Sequence, residues 1–220
     1  MYIRSIFNVQ DPVMRPATPP ASRRQDARMS QRRAIIEATI DVIAGHGLNG
    51  ATISRIVARA GIARGMVNLY FRTKDNLLLE TVQSLSEEYL QLFSAAIEQS
   101  GASAIERIYA YIDADCSEAV LNARKMAVWF AFRAETRSRP EYLAHVETRD
   151  PLYEERLTGL FIEAMGKATV EGRRAANFAA RALLLLLEGV WADFHLHPAT
   201  FDREATRKLC QRFVRAAIEQ

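Results

Sequence analysis

The 220-residue sequence has only two cysteines, Cys116 and Cys210, far apart in the chain. They are too few for a disulfide framework or a zinc cluster, and they read as buried or idle thiols in a reducing cytoplasm. Glycine and proline are scarce, at 10 and 7 residues. That excludes collagen-like and low-complexity chains and leaves long helices free to form. Four of the prolines and five arginines fall in the first 28 residues, MYIRSIFNVQDPVMRPATPPASRRQDAR. This stretch lacks the continuous apolar core of a secretory signal and reads as a disordered basic tail, residues 1–28. Met29, just behind it, is a second candidate start of translation. No long apolar run is uninterrupted. The most apolar one, AANFAARALLLLLEGVW (175–191), is broken by Asn177, Arg181 and Glu188 and reads as a buried helix, with no membrane partner implied. Strand-like alternation, heptads and internal repeats are also missing.

What is present is 49% apolar and 25% charged residues, enough for one good-sized core or two small ones. The charge is unevenly spread. Residues 1–74 carry 12 Lys+Arg against 4 Asp+Glu, while residues 75–220 carry 17 against 22. From Ser30 to Lys74 alone the count is 7 basic to 2 acidic, so the tail is not the whole cause. A basic front half on an acidic remainder points to a nucleic-acid module joined to a part that avoids nucleic acid.

The basic segment has the pattern of three helices. Ile36, Ile40 and Ile43 repeat at helical spacing from Gln31 to Ala44, and Gly45-His46-Gly47 stops that helix. Thr52 is a good N-cap for a short second helix whose face is Ile53, Ile56, Val57 and Ala60. Gly61 ends it, and Gly65 to Phe71 makes a third. Two short helices joined by a glycine turn behind a longer one form a helix-turn-helix. Beyond Thr73 the spacing predicts long helices near 74–99, 102–121, 123–137, 140–168, 169–195 and 202–218. The expected fold is all-α: a three-helix helix-turn-helix domain over residues 29–75, then a helical domain over residues 76–220.

A recognition helix lies in the major groove, so its outward residues must reach base edges. Val67 and Phe71 form its inward face, leaving Arg64, Gly65, Met66, Asn68 and Leu69 outward or sideways. Arg64 can make two bonds to a guanine, Asn68 can pair with an adenine, and Met66 or Leu69 can touch a thymine methyl. Gly65 allows the backbone close approach. Tyr70, Lys74, Thr52 and Ser54 suit phosphate oxygens. Any one of these is also an ordinary solvated residue, and it is their combination on a glycine-punctuated trihelix in a basic segment that points to a DNA partner.

The stretch ATISRIVARAGIARGMVNLYFRTKDNLL (51–78) resembles the DNA-binding signature of the TetR family of bacterial repressors. The resemblance implies that residues 76–220 form a ligand-binding and dimerisation domain, with a homodimer joined through the last two long helices, and it carries DNA-contact roles onto Arg64, Gly65, Met66, Asn68, Tyr70 and Lys74. Family members often have tyrosine where this chain has Asn68. More narrowly, AVWFAFRAET (127–136) and LLEGVWADF (186–194) are similar to segments of the choline-responsive branch of that family. Trp129 and Phe132 lie one turn apart on one helix, Glu188 and Trp191 one turn apart on another, and Tyr111 and Asp115 extend the wall. Aromatic faces with a carboxylate suit a quaternary ammonium effector, held by cation–π attraction, although the same aromatics equally suit an ordinary core. Arg133, beside them, opposes a cationic ligand unless a carboxylate neutralises it.

The whole therefore predicts a ligand-responsive dimeric repressor that sets two recognition helices in successive major grooves, roughly 34–36 Å apart on a near-palindromic operator. A binder without a sensor is the nearest rival. An all-helical enzyme or carrier would need a nucleophile, a carboxylate pair or a metal constellation, and none is visible. No cofactor is expected. His195 and His197, with Asp193, are spaced to diverge on a helix end and read as C-terminal capping residues rather than metal ligands.

Overall fold

The computed structural model describes residues 21–101, 103–147 and 151–219, with the side chains of 21–24, 151 and 152 outside the description. Among these residues there is no strand. Ten α-helices follow one another: α1 Ala21–Gly50, α2 Ile53–Ala60, α3 Arg64–Phe71, α4 Lys74–Gln99, α5 Ala104–Asp115, α6 Ala123–Ala134, α7 Leu143–Val146, α8 Pro151–Met165, α9 Val170–Leu196 and α10 Arg203–Ile218.

Local chemistry accounts for most of the boundaries. The regular turns of α1 break at Gly47, whose φ of 70° and ψ of 173° suit glycine far better than any side chain. Thr52 caps α2, its hydroxyl accepting the Arg55 N–H, and Gly61 closes the helix in the left-handed region at φ 66°. Thr73, Asn122, Thr169 and Asp202 cap α4, α6, α9 and α10 in the same manner. Ser103 and Glu106 form a reciprocal capping box at α5.

Four expectations need correction. Residues 21–28, expected in a disordered tail, are helical and extend α1 backwards, while residues 1–20 lie outside the described residues. The helix expected over 102–121 ends at Asp115. The chain turns before Asn122, and Arg203 reaches over from α10 to donate to the carbonyls of Cys116 and Leu121. The helix expected over 140–168 is split into a 3-10 turn (Pro140–Tyr142), α7 and α8. Pro151 fits the first position of a helix but not its interior, because it has no N–H and its ring would clash one turn back. Finally, α9 is long and apolar enough to cross a membrane by length and composition. It nevertheless packs on α8 and α10, burying Ala176, Ala179, Ala180, Leu183, Leu187 and Val190.

Val67 and Phe71 of α3 are buried against α1, α2 and the first turns of α4, where Ile35, Ile43, Ile56, Leu77 and Leu78 complete a small core. Helix α4 runs on from this core into the larger bundle of α5 to α10, burying Phe93 and Ile97 there. Both cysteines are buried, and burial pushes the Cys116 thiol up to about 12 and Cys210 to about 11, which keeps them protonated.

Candidate functional site

Helix α3 is presented rather than buried. Arg64, Gly65, Asn68 and Leu69 are exposed, Leu69 at 64%, and Met66 is half-buried. Its N-cap, Ala63, offers no side-chain acceptor, so the first N–H groups of the helix face outward without a capping side chain. A Cβ added at Gly65 would meet nothing within 4 Å, and its φ is not positive, so the fold itself does not require glycine there. Lys74 sits at the first position of α4, where its charge and the helix dipole both favour an anion. Ser54 is exposed on α2, and the Thr52 hydroxyl, which accepts from Arg55, still has its own proton to donate.

Tyr70 departs from its expected role. Its hydroxyl donates to Gln31 Oε1 on α1 at 3.0 Å, and the Arg28 guanidinium lies 5.9 Å over its ring. The proton expected to serve a phosphate instead ties the recognition helix to α1. Two further cations stand near this face, the first from the Arg23-Arg24 and Arg28-Arg32-Arg33 cluster, which in sequence suits a grip on phosphates or plain solvation alike. Arg28 is held by the α1 extension, and Arg72 adopts φ 67° and ψ −51°, the one positive-φ residue other than glycine among the described residues. Only Arg28 had a sequence signal, in the arginine cluster before α1.

The second feature is an aromatic cavity in the larger bundle. Tyr89 of α4, Trp129 of α6 and Trp191 of α9 meet edge to face or tilted, with centroid separations of 5.0 Å (Tyr89–Trp191), 5.3 Å (Trp129–Trp191) and 6.1 Å (Tyr89–Trp129). They border a cavity of about 50 Å³ that Tyr111, Tyr153 and Glu188 also line. On the other side of the same trio lies a second hollow of about 30 Å³, lined by Met126, Lys125, Val120 and Leu92. The trio is thus a partition between two voids.

Of the six expected ligand residues, Tyr111, Trp129, Glu188 and Trp191 line the larger cavity. Phe132 does not. It is fully buried outside that lining, edge-to-face with Tyr142 at 4.9 Å. Asp115 stands behind the wall rather than in it. One carboxylate oxygen accepts from Tyr89 Oη and the other from Trp191 Nε1, both at 2.9 Å. Complete burial raises its pKa from 3.8 to about 7, in spite of those two donors. Glu188 neutralises Arg133 through one oxygen, as a cationic ligand would require. Its other oxygen and the Trp129 Nε1–H are buried with no hydrogen-bond partner among the described residues. Tyr89, which completes the trio, had no motif to mark it in the sequence.

Two family models match the chain. The N-terminal model of the bacterial regulatory proteins of the tetR family covers residues 35–81. The model of the BetI-type transcriptional repressor C-terminal region covers residues 104–219, more than half of the sequence. The chain belongs to the TetR family. Among similar proteins, the HTH-type transcriptional regulator BetI of Cronobacter sakazakii is 27% identical over 192 residues, 86% of this chain and 91% of its own length. BetI 1 of Chromohalobacter salexigens is 29% identical over 184 residues, 84% and 88% respectively. A transcriptional regulator of known structure from Pseudomonas aeruginosa PAO1 superposes with a TM-score of 0.75 at 26% identity, covering 87% of this chain and 91% of that one. A TetR transcription regulator from Haloarcula marismortui shares the fold, with a TM-score of 0.72 at 19% identity over 86% of this chain and 98% of its own. This TetR-family protein is a DNA-binding transcriptional regulator and not an enzyme.

Proposed function

We propose that this regulator is a dimeric repressor, released from a near-palindromic operator by a small organic cation of the quaternary ammonium class, choline being the model compound. Residues 29–75 act as the DNA-binding domain and residues 76–220 as the ligand-binding and dimerisation domain, in the cytoplasm. Arg64, Met66 and Asn68 read bases, Gly65 permits close approach, and Thr52, Ser54 and Lys74 hold phosphates. Tyr70 braces the helix.

The observation that carries the effector reading is the aromatic trio beside two unused polar atoms. Three π faces attract a cation that cannot itself donate a strong hydrogen bond. A hydroxyl on that cation would accept from Trp129 Nε1 or donate to Glu188 Oε2, groups whose burial without partners is otherwise costly. The cavity is small, and displacing the partition would join the two voids into a larger one. That narrowness favours one rival, a DNA-binding regulator whose bundle only dimerises.

A second copy fits the outer face of α9 and α10. Phe178 (74% exposed) and Leu185 (54%) lie two turns apart on α9 with exposed Gly189 beyond, and Leu209 (57%) is exposed on α10. A patch of this kind on a regulator is a natural two-fold interface.

The test is a titration of fluorescent duplex, selected by the protein from a random pool, with and without choline. Release of the duplex at millimolar choline, accompanied by a raised melting temperature of the free protein, is the expected result. Unchanged affinity at saturation would leave the dimer without a sensor and favour the rival.

A further inference from the structure

The stretch from Ser30 to Lys74 contains two acidic residues, Glu37 and Asp41, among seven basic ones. In a module built to meet a polyanion, each carboxylate weakens the attraction it exists to provide. Both are turned to the same use. They lie one turn apart on α1, and both hold Arg124, in the first turn of α6. Arg124 Nε donates to Asp41 Oδ1 at 2.5 Å, and its Nη2 donates to Glu37 Oε2 at 2.8 Å and to the Glu37 carbonyl at 3.0 Å.

Asp41 has a second partner. Its Oδ2 pairs with Arg59 Nη2 of α2 at 2.5 Å. One carboxylate, 23% exposed, therefore grips α6 with one oxygen and the helix that frames α3 with the other. The next residue of α6, Lys125, pairs with Glu88 of α4 and lines the smaller void beside Met126. Trp129, in the partition, is little more than one turn further along the same helix.

We propose that Asp41 is a positioning residue that transmits the state of the aromatic cavity to the DNA-binding helices. Resting on the effector reading above, the inference adds the route of its regulation. A guest that displaces Trp129 shifts α6 along its own axis or about it. Arg124 moves with α6, and the bifurcated carboxylate must then either follow it, turning α2, or release it. Packing alone would couple the two domains diffusely, whereas a carboxylate shared by two arginines has two discrete arrangements.

The test uses the full chain, with Asp41→Asn to remove the charge at constant shape, Asp41→Glu as the conservative rescue, and Arg124→Gln. Wild type should lose operator affinity on adding choline by a factor on the order of 5 to 150. In Asp41→Asn and Arg124→Gln that factor should fall to within about twofold of one, far below that family of couplings. Choline should still bind the free variants as it binds wild type by calorimetry, and Asp41→Glu should recover most of the factor. A full coupling factor in Asp41→Asn would overturn the proposal.

If choline leaves wild type itself unmoved, the effector reading fails and hydrogen exchange decides this one. Trp129→Ala should then change the exchange of α2 amides in the wild-type background and leave them unchanged in Asp41→Asn. The same change in both backgrounds would overturn the route.

Discussion

Asp115 and Trp191 are joined at 2.9 Å by an indole N–H to a carboxylate with no solvent exposure, from helices 76 residues apart in the chain. The pair fixes the orientation of one ring of the partition, and it makes a titrating group part of the core.

Stability should therefore fall as pH rises from about 4 to about 7. Burial raises the Asp115 pKa from 3.8 to about 7, so across that window the folded chain holds a proton that the unfolded chain has released. The unfolded state binds fewer protons, and the slope of stability with pH is negative. Above about 7 this contribution is flat. Asp115→Asn keeps an acceptor for Trp191 and, through its amide, a partner for Tyr89. Urea denaturation at stepped pH should show a flatter profile for it between pH 4 and 7, and an unchanged profile would remove Asp115 as the source.

Gly65→Ala should raise stability and lower function at once. The added methyl meets nothing in the free protein, and alanine is favoured over glycine in a helix by up to about 1 kcal/mol. Operator affinity should drop by the roughly 1–3 kcal/mol of a disturbed base contact. Thermal melting and anisotropy on one preparation measure both, and undiminished operator binding would show that DNA does not approach this backbone.

Arg64→Ala and Lys74→Ala should separate readout from attraction. Loss of Arg64 is expected to cost about 1–3 kcal/mol on operator and much less on random duplex. Loss of Lys74 should weaken both alike and flatten the logarithmic salt dependence by about 1. Equal losses on both duplexes for Arg64→Ala would take it out of base recognition.

Arg72→Gly should relieve a strained backbone. A non-glycine residue at φ 67° is unfavourable by roughly 1–3 kcal/mol, part of which glycine recovers. The variant should melt higher yet bind DNA less tightly, with a salt slope smaller by about 0.9, since a cation between α3 and Lys74 has gone. A rise in melting temperature with unaltered DNA affinity would assign the strain to folding alone.

The helices that follow local rules were legible in sequence. Thr52 and Gly61 announce their caps, and α4 begins and ends where its spacing predicts. The Ser103-x-x-Glu106 box that starts α5 at Ala104 is just as local, but spacing alone set that start at residue 102. What one dimension could not carry was direction. Phe132 shares a face with Trp129 by helical arithmetic, yet Tyr142, delivered by a turn ten residues later, draws it to another side of the core. Asp115 was visible as a carboxylate near aromatics, but only the fold shows that both its oxygens are committed. Asp41 carried no motif at all. Its importance arises from two arginines, Arg59 and Arg124, that converge on it from helices far apart in sequence.

The commitment of these carboxylates sets what the cavity can tell apart. Asp115 is occupied by Tyr89 and Trp191, Glu188 is balanced by Arg133, and Glu147, the other carboxylate lining the cavity, is exposed to water, so the ring trio offers little to repay a metal ion for its lost hydration. Potassium and sodium, abundant and strongly hydrated, have little to gain there, while a bulky organic cation that sheds water easily gains three ring faces. On the proposed effector reading, such a wall would ignore changes in ordinary salt and register an organic solute against that background.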